Sequence, residues 1–334
     1  MVRVAVVGVN NIGRRHCAIY DQCPDTELVA VCDLVETRVA QAAAEFQTKA
    51  YTDLGTLLRE EDVDVVSIAT SGVEGGSHHY APAMLAIEAG KDVLVEKPLS
   101  NDLDEAVTMV QRAREKGVRL ACDLNHRFVP AAYKGKELID KGNLGELLFV
   151  NMRLTIRNPN ESSPWFHMRA LHQHSIDVMR YFAGDIARVQ AFMVKAPGRS
   201  VWSTCSINMQ FTSGAVGHLT GSYDMSMRHP IEFCEVAGNR GRFVIDNVYE
   251  NFCFYPHDQD ELLVQRNPLF GGIGNFHETM ANRIHHFIHQ IQENVAPDRI
   301  EGSGKDALAA QRVIEAAIQS QLQNGAVIDV ENMR

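Results

Sequence analysis

Five short runs of aliphatic and β-branched residues punctuate the first 123 positions, at 2–7, 28–32, 63–68, 93–95 and 118–122. None alternates strictly between apolar and polar. Near-continuous Val, Ile and Leu is what a parallel sheet covered on both faces requires, so the pattern predicts five or six buried strands. Helical periodicity fills the gaps and is clearest over 102–116. There Leu103, Ala106, Val107 and Val110 recur at i, i+3, i+4 and i+7, leaving one apolar side for the sheet. Asn101 is placed to cap this helix, and Gly117 to end it in a left-handed conformation. Strands alternating with helices imply right-handed crossovers and a doubly wound parallel sheet.

The pattern changes after residue 123. A short helix follows Pro130, and extended stretches then occupy 146–157, 186–195, 203–211, 214–223, 230–237 and 242–246. Ser213-Gly214 and Asn239-Arg240-Gly241 are turn signals between them, which predicts a mainly antiparallel sheet built from hairpins. Two helices close the chain. The last, about 303–323, carries Ala310, Val313, Ile314 and Ala317 on one side and stops at Asn324-Gly325. The expectation is two domains: an α/β domain over 1–123, and an α+β domain with a large open sheet over 124–334.

The chain has 334 residues and a net charge of −10, with 45% hydrophobic and 22% charged residues. That balance suits a folded protein with a sizeable core and lacks the broad positive field that non-specific nucleic-acid binding uses. Seven scattered cysteines with no C-x-x-C pair point to reduced thiols, and so to the cytoplasm. The first residues do not resemble a signal peptide, and no apolar run approaches the roughly 18 residues of a membrane span. His285 and His289 lie one helical turn apart without a third ligand at a convincing spacing, so no metal is expected.

The first strand runs directly into Gly8-Val9-Asn10-Asn11-Ile12-Gly13, which opens a helix. This is a dinucleotide-binding turn with Asn10 at its middle glycine. Gly8 permits the tight turn, Gly13 allows close helix–strand packing, and the helix start offers N–H groups to phosphate. Asn10 is the least costly replacement if the position is left-handed. Asp33, at the end of the second strand, is placed to accept hydrogen bonds from ribose hydroxyls, favouring NAD over NADP. It is equally able to cap a helix beginning at Val35, and Arg38 nearby leaves NADP possible in principle.

Lys97 follows an apolar strand at the sheet edge where open parallel sheets bind ligands, in Glu96-Lys97-Pro98. With the turn, this triplet, Ala69-Thr70-Ser71, His79, Asn125-His126-Arg127-Phe128, Gly142-Asn143-Leu144-Gly145-Glu146, His174-Ser175-Ile176-Asp177 and Glu235-Val236-Ala237-Gly238, the chain resembles the Gfo/Idh/MocA oxidoreductase family over nearly its whole length. The resemblance implies an N-terminal Rossmann domain, a C-terminal sheet domain, and a homodimer or homotetramer paired through that sheet. It implies NAD-dependent oxidation of a secondary hydroxyl of a sugar, sugar derivative or cyclitol. Lys97 would contact substrate and nicotinamide ribose, and His174 would be the general acid–base. Thr70, His79 and Glu96 join Gly8, Asn10, Asn11, Ile12, Gly13, Asp33, Arg38 and Lys97 as expected cofactor residues. Asn125, Arg127, Trp165 and His167 join Lys97 and His174 on the substrate side. Arg127 could instead form an ion pair between domains, and Trp165 could pack in the core.

One departure stands out. Where the family usually places Asp, four residues before the histidine, this chain has Ala170. His167, His172 or Gln173 could substitute. Two other readings stand beside the dehydrogenase: a redox-neutral enzyme that retains NAD while cleaving or epimerising a sugar, and a sensor whose catalysis has lapsed, to which Ala170 points.

Overall fold

The computed structural model describes residues 1–267 and 273–333. The chain forms two compact units, 1–123 with 280–308, and 124–279 with 309–334. The first thus draws in a segment from far down the chain, which a single cut after residue 123 does not capture.

In the first unit, β1 (Val2–Val7), α1 (Asn11–Gln22), β2 (Thr26–Cys32), α2 (Glu36–Glu45), β3 (Lys49–Tyr51), α3 (Leu54–Glu60), β4 (Val65–Ile68), α4 (Tyr80–Glu88), β5 (Asp92–Val95), α5 (Leu103–Lys116) and β6 (Leu120–Cys122) follow in order. The described strands pair in the order β3-β2-β1-β4-β5-β6, all parallel. Val4, Val6, Val31, Val65 and Leu94 are buried there, as both-face coverage requires. Gly117 ends α5 at φ 67°, but its N-cap is Asp102, whose carboxylate accepts from the Asp104 and Glu105 N–H groups. Asn101 is engaged elsewhere: its amide accepts from Gly76 N–H and donates to the Val73 carbonyl.

The returning segment is held by apolar contact and by one buried cation. Ile284, Phe287, Ile288 and Ile300 complete the core of this unit. Arg283 is wholly buried and donates to the Cys122 and Gly302 carbonyls at 2.9 and 3.0 Å. A buried guanidinium is tolerated only where such acceptors meet it.

The second unit begins with a short 3₁₀ turn (Asn125–Arg127). Then come α6 (Pro130–Asp140), β7 (Leu147–Thr155), α7 (Phe166–Ala183), β8 (Ile186–Val194), β9 (Thr204–Phe211), β10 (Val216–Ser222), β11 (Glu232–Gly238), β12 (Gly241–Asp246), β13 (Asn251–Pro256) and β14 (Leu263–Arg266). Helices α8 (His277–Gln292) and α9 (Gly304–Leu322) and strand β15 (Ile328–Asp329) complete the chain. The described strands order as β14-β13-β12-β11-β7-β10-β9-β8-β15. The sheet is mixed and mostly antiparallel. Hairpins account for most of it, including β11–β12 across Asn239-Arg240, but β7 and β10 run parallel because α7, β8 and β9 intervene.

Alternation governs this sheet. Val150, Met152, Ile207, Met209 and Val236 face inward against Ile176, Met179, Phe182, Val313 and Ile314 of α7 and α9. Their neighbours point the other way: Phe192 is 54% and Val216 55% exposed. Among the described residues no helix is long and apolar enough to cross a membrane.

Candidate active site

In the first unit a cavity of about 610 Å³ opens at the carboxyl ends of β1, β2 and β4, where strand order reverses. Ligands bind at such switch points, and the volume lies within the roughly 300–1,000 Å³ of small-molecule sites. Gly8, Asn10, Asp33, Arg38, Thr70 and Tyr80 are among its lining residues. Gly8 has φ 85°, and a Cβ there would stand 2.7 Å from the Thr70 backbone. A Cβ on Gly13 would stand 1.8 Å from the Gly8 carbonyl oxygen. Both positions therefore exclude a side chain. Asn10 sits at φ −83°, so the middle position is not left-handed and needs no glycine. Its side chain makes no capping bond to α1, leaving the N–H groups at the exposed Asn11 and the partly buried Ile12 without a side-chain cap.

Asp33 is buried and accepts from Val9 N–H, Val35 N–H and the Arg38 guanidinium, each at 3.0 Å. It does not cap α2, whose N-cap is Val35. Pairing with Asp33 draws Arg38 toward the carboxylate that a 2′-phosphate would meet. A cradle with no room for Cβ atoms, an uncapped helix start and a carboxylate on the second strand fit an adenine dinucleotide.

Thr70 lines the cavity and donates to the His78 carbonyl at 2.8 Å. His79 does not line it. Its ring is fully buried between the carbonyls of Pro98 (2.7 Å) and Thr70 (2.8 Å), tying the cavity wall to the turn after β5. Burial pushes its pKa down.

That turn carries half-buried Lys97, which precedes Pro98 through a cis bond. Glu96 points inward, with Oε1 3.2 Å from His16 Nε2; His16 Nδ1 in turn meets Ser67 Oγ at 2.8 Å. Burial raises both Glu96 and Asp123. On Glu96, His16 and Lys97 outweigh it and hold the carboxyl at about 2. Asp123 is pushed well above the carboxylate range by burial first and Glu96 second. The two carboxyls thus shift in opposite directions, and the positive charge of Lys97 lowers both. Sequence reading missed His16 and Asp123, because nothing local marks a polar residue as buried.

In the second unit, His174 lies on α7, nearly all of which is buried. The His126 ring stacks on it, with centroids 4.3 Å apart and planes 13° apart, and His126 Nδ1 meets Glu232 Oε2 at 2.7 Å. This Glu232–His126–His174 array was not foreseen either, since His126 and Glu232 are 106 positions apart. Arg127 is buried and bidentate on Asp177, with one contact at 2.6 Å, and lies over the Tyr181 ring. Both members of the pair belong to this unit. Asn125 donates to Thr279 Oγ at 2.7 Å. Trp165 stacks on Trp202, with centroids 5.9 Å apart. His167 turns onto His172, and Ala170 packs with Phe166, Leu171 and Tyr223.

Comparison with known proteins matches residues 2–124 to the oxidoreductase family with an NAD-binding Rossmann fold, and 134–244 to the GFO/IDH/MocA C-terminal domain. Myo-inositol 2-dehydrogenase of Thermotoga maritima is 25% identical, over 94% of this chain and 96% of that protein. The scyllo-inositol 2-dehydrogenase (NAD(+)) of Bacillus subtilis is 25% identical, over 89% and 88%. Among solved structures, levoglucosan dehydrogenase in complex with NADH and L-sorbose superposes with a TM-score of 0.87 at 22% identity, covering 98% of each chain. The cradle at Gly8 and Gly13, the parallel sheet and the second unit's mixed sheet thus carry the features of one group, and the chain belongs to the Gfo/Idh/MocA family of NAD-binding oxidoreductases.

Proposed function

We propose that this protein oxidises a secondary hydroxyl of a sugar, sugar derivative or cyclitol. The observation that carries the reading is the switch-point cavity with its two excluded Cβ positions and Asp33. Relatives named as inositol dehydrogenases support the substrate class. Bound NAD supplies the two-electron acceptor. The backbone of Gly8, Asn10, Asn11, Ile12 and Gly13 holds the pyrophosphate, and Asp33 the ribose. The Lys97 ammonium donates to the substrate oxygen. His174 takes the hydroxyl proton on its imidazole. Glu232 orients His126, whose stacked ring fixes the plane of His174; this supports His174 in place of the carboxylate lost at Ala170. The exposed sheet face bearing Phe192 and Val216 pairs with a second copy. Reduced cysteines support a cytoplasmic setting.

The test is a screen of inositols, hexoses and glycosides for NAD+ reduction, followed by light-scattering mass. Net formation of NADH by a dimer or tetramer supports the reading. Turnover without net reduced cofactor favours the redox-neutral alternative.

A further inference from the structure

His167, His172 and Cys205 form a buried cluster that the proposed reaction does not use. They are 0, 0 and 2% exposed, and their ligand-capable atoms all lie within 4.8 Å of one another. His172 Nε2 stands 3.0 Å from His167 Nε2 and 3.6 Å from Cys205 Sγ. One N–H···N hydrogen bond would account for the two imidazoles. It would leave the thiol competing for the same His172 nitrogen, and His167 Nδ1 has no hydrogen-bond partner among the described residues. The array is better explained by nitrogens and sulfur turned toward one common point.

Two further features fit that point. His172 Nδ1 meets Ser175 Oγ at 3.2 Å, the outer hydrogen bond that orients a ligating imidazole. Gly221 lies opposite Cys205 in the β9–β10 pairing, and a Cβ there would stand 2.0 Å from His172 Nε2 and 3.0 Å from Cys205 Sγ. Only glycine at this position lets the His172 ring lie against the β9–β10 ladder beside Cys205.

We propose that His167 Nε2, His172 Nε2 and Cys205 Sγ bind one borderline-soft divalent cation of the zinc class. Two imidazoles and a thiolate are a donor set that such ions favour over hard cations. Binding breaks the Cys205 S–H bond, forms a sulfur–metal bond and releases the proton to solvent. The ion would tie α7 to β9. Because His167 and His172 are five positions apart on a helix and Cys205 lies 33 further on, no sequence spacing announces the set.

The experiment titrates Co2+ alone into the full-length protein and follows its electronic spectrum. The expected result is a saturating thiolate-to-cobalt charge-transfer band with tetrahedral visible bands at one equivalent, displaced by Zn2+. Cys205→Ser should abolish the charge-transfer band, and His172→Gln should weaken binding by about 10-fold or more. Circular dichroism identifies folded variants, and either variant alone suffices. A folded wild-type protein without the band, or a band that persists in folded Cys205→Ser, would overturn the proposal.

Discussion

The two units build their sites in opposite ways. In the first, the cradle is a continuous piece of chain: β1, the turn from Gly8 to Gly13 and the start of α1 are consecutive, with Asp33 one strand away. In the second, His174 is supported by side chains from distant segments, His126 before α6 and Glu232 on β11. The first site rests on backbone geometry, where a single added methyl is forbidden. The second rests on side-chain partners, where loss is graded. Binding of the cofactor should therefore fail abruptly on substitution, and proton handling should fail by degrees.

Lys97→Ala is expected to have the largest effect, lowering kcat by about 10³-fold while NAD still binds, since the cradle does not include the lysine. Steady-state kinetics with an NAD titration checks this; unchanged turnover would show that Lys97 takes no part in the reaction. Arg127→Ala should come next, costing about 3–5 kcal/mol because it leaves Asp177 buried without its bidentate partner. Urea unfolding measures it, and a loss under 1 kcal/mol would show that the pair is not what holds α7.

Glu232→Gln should lower kcat by about 10-fold with little change in KM, sharpening the claim that support of His174 is graded. An equal change in KM alone would point to substrate contact instead. The smallest effect concerns pH. Glu96 at about 2 lies below its ordinary 4.5, so its contribution to stability is present above the ordinary value and is lost as pH falls toward 2. Glu96→Gln should flatten that acid limb in urea titrations, and an unchanged slope would contradict the assignment.

The same contrast explains what the sequence disclosed. The parallel strands, the cradle and the last two helices were legible because apolar period and glycine position are local signals. Gly117 acted as its position implied, whereas Asn101 yielded the cap to Asp102. Asn10 was read as a substitute for a left-handed glycine, but its φ is ordinary. Strands β13 and β14 and the parallel pairing of β7 with β10 were not foreseen, because register between distant strands is decided by packing. His79, Glu96 and Arg127 looked like ligand contacts by type. In the structure their side chains meet backbone carbonyls, a histidine and an aspartate.

The most direct check on the dinucleotide cradle is calorimetry of NAD binding to the wild-type protein and to Gly13→Val, with circular dichroism confirming that the variant is folded. One NAD per wild-type chain and no measurable heat from the folded variant is the predicted result. Equal binding by both proteins, or none by the wild type, would contradict it.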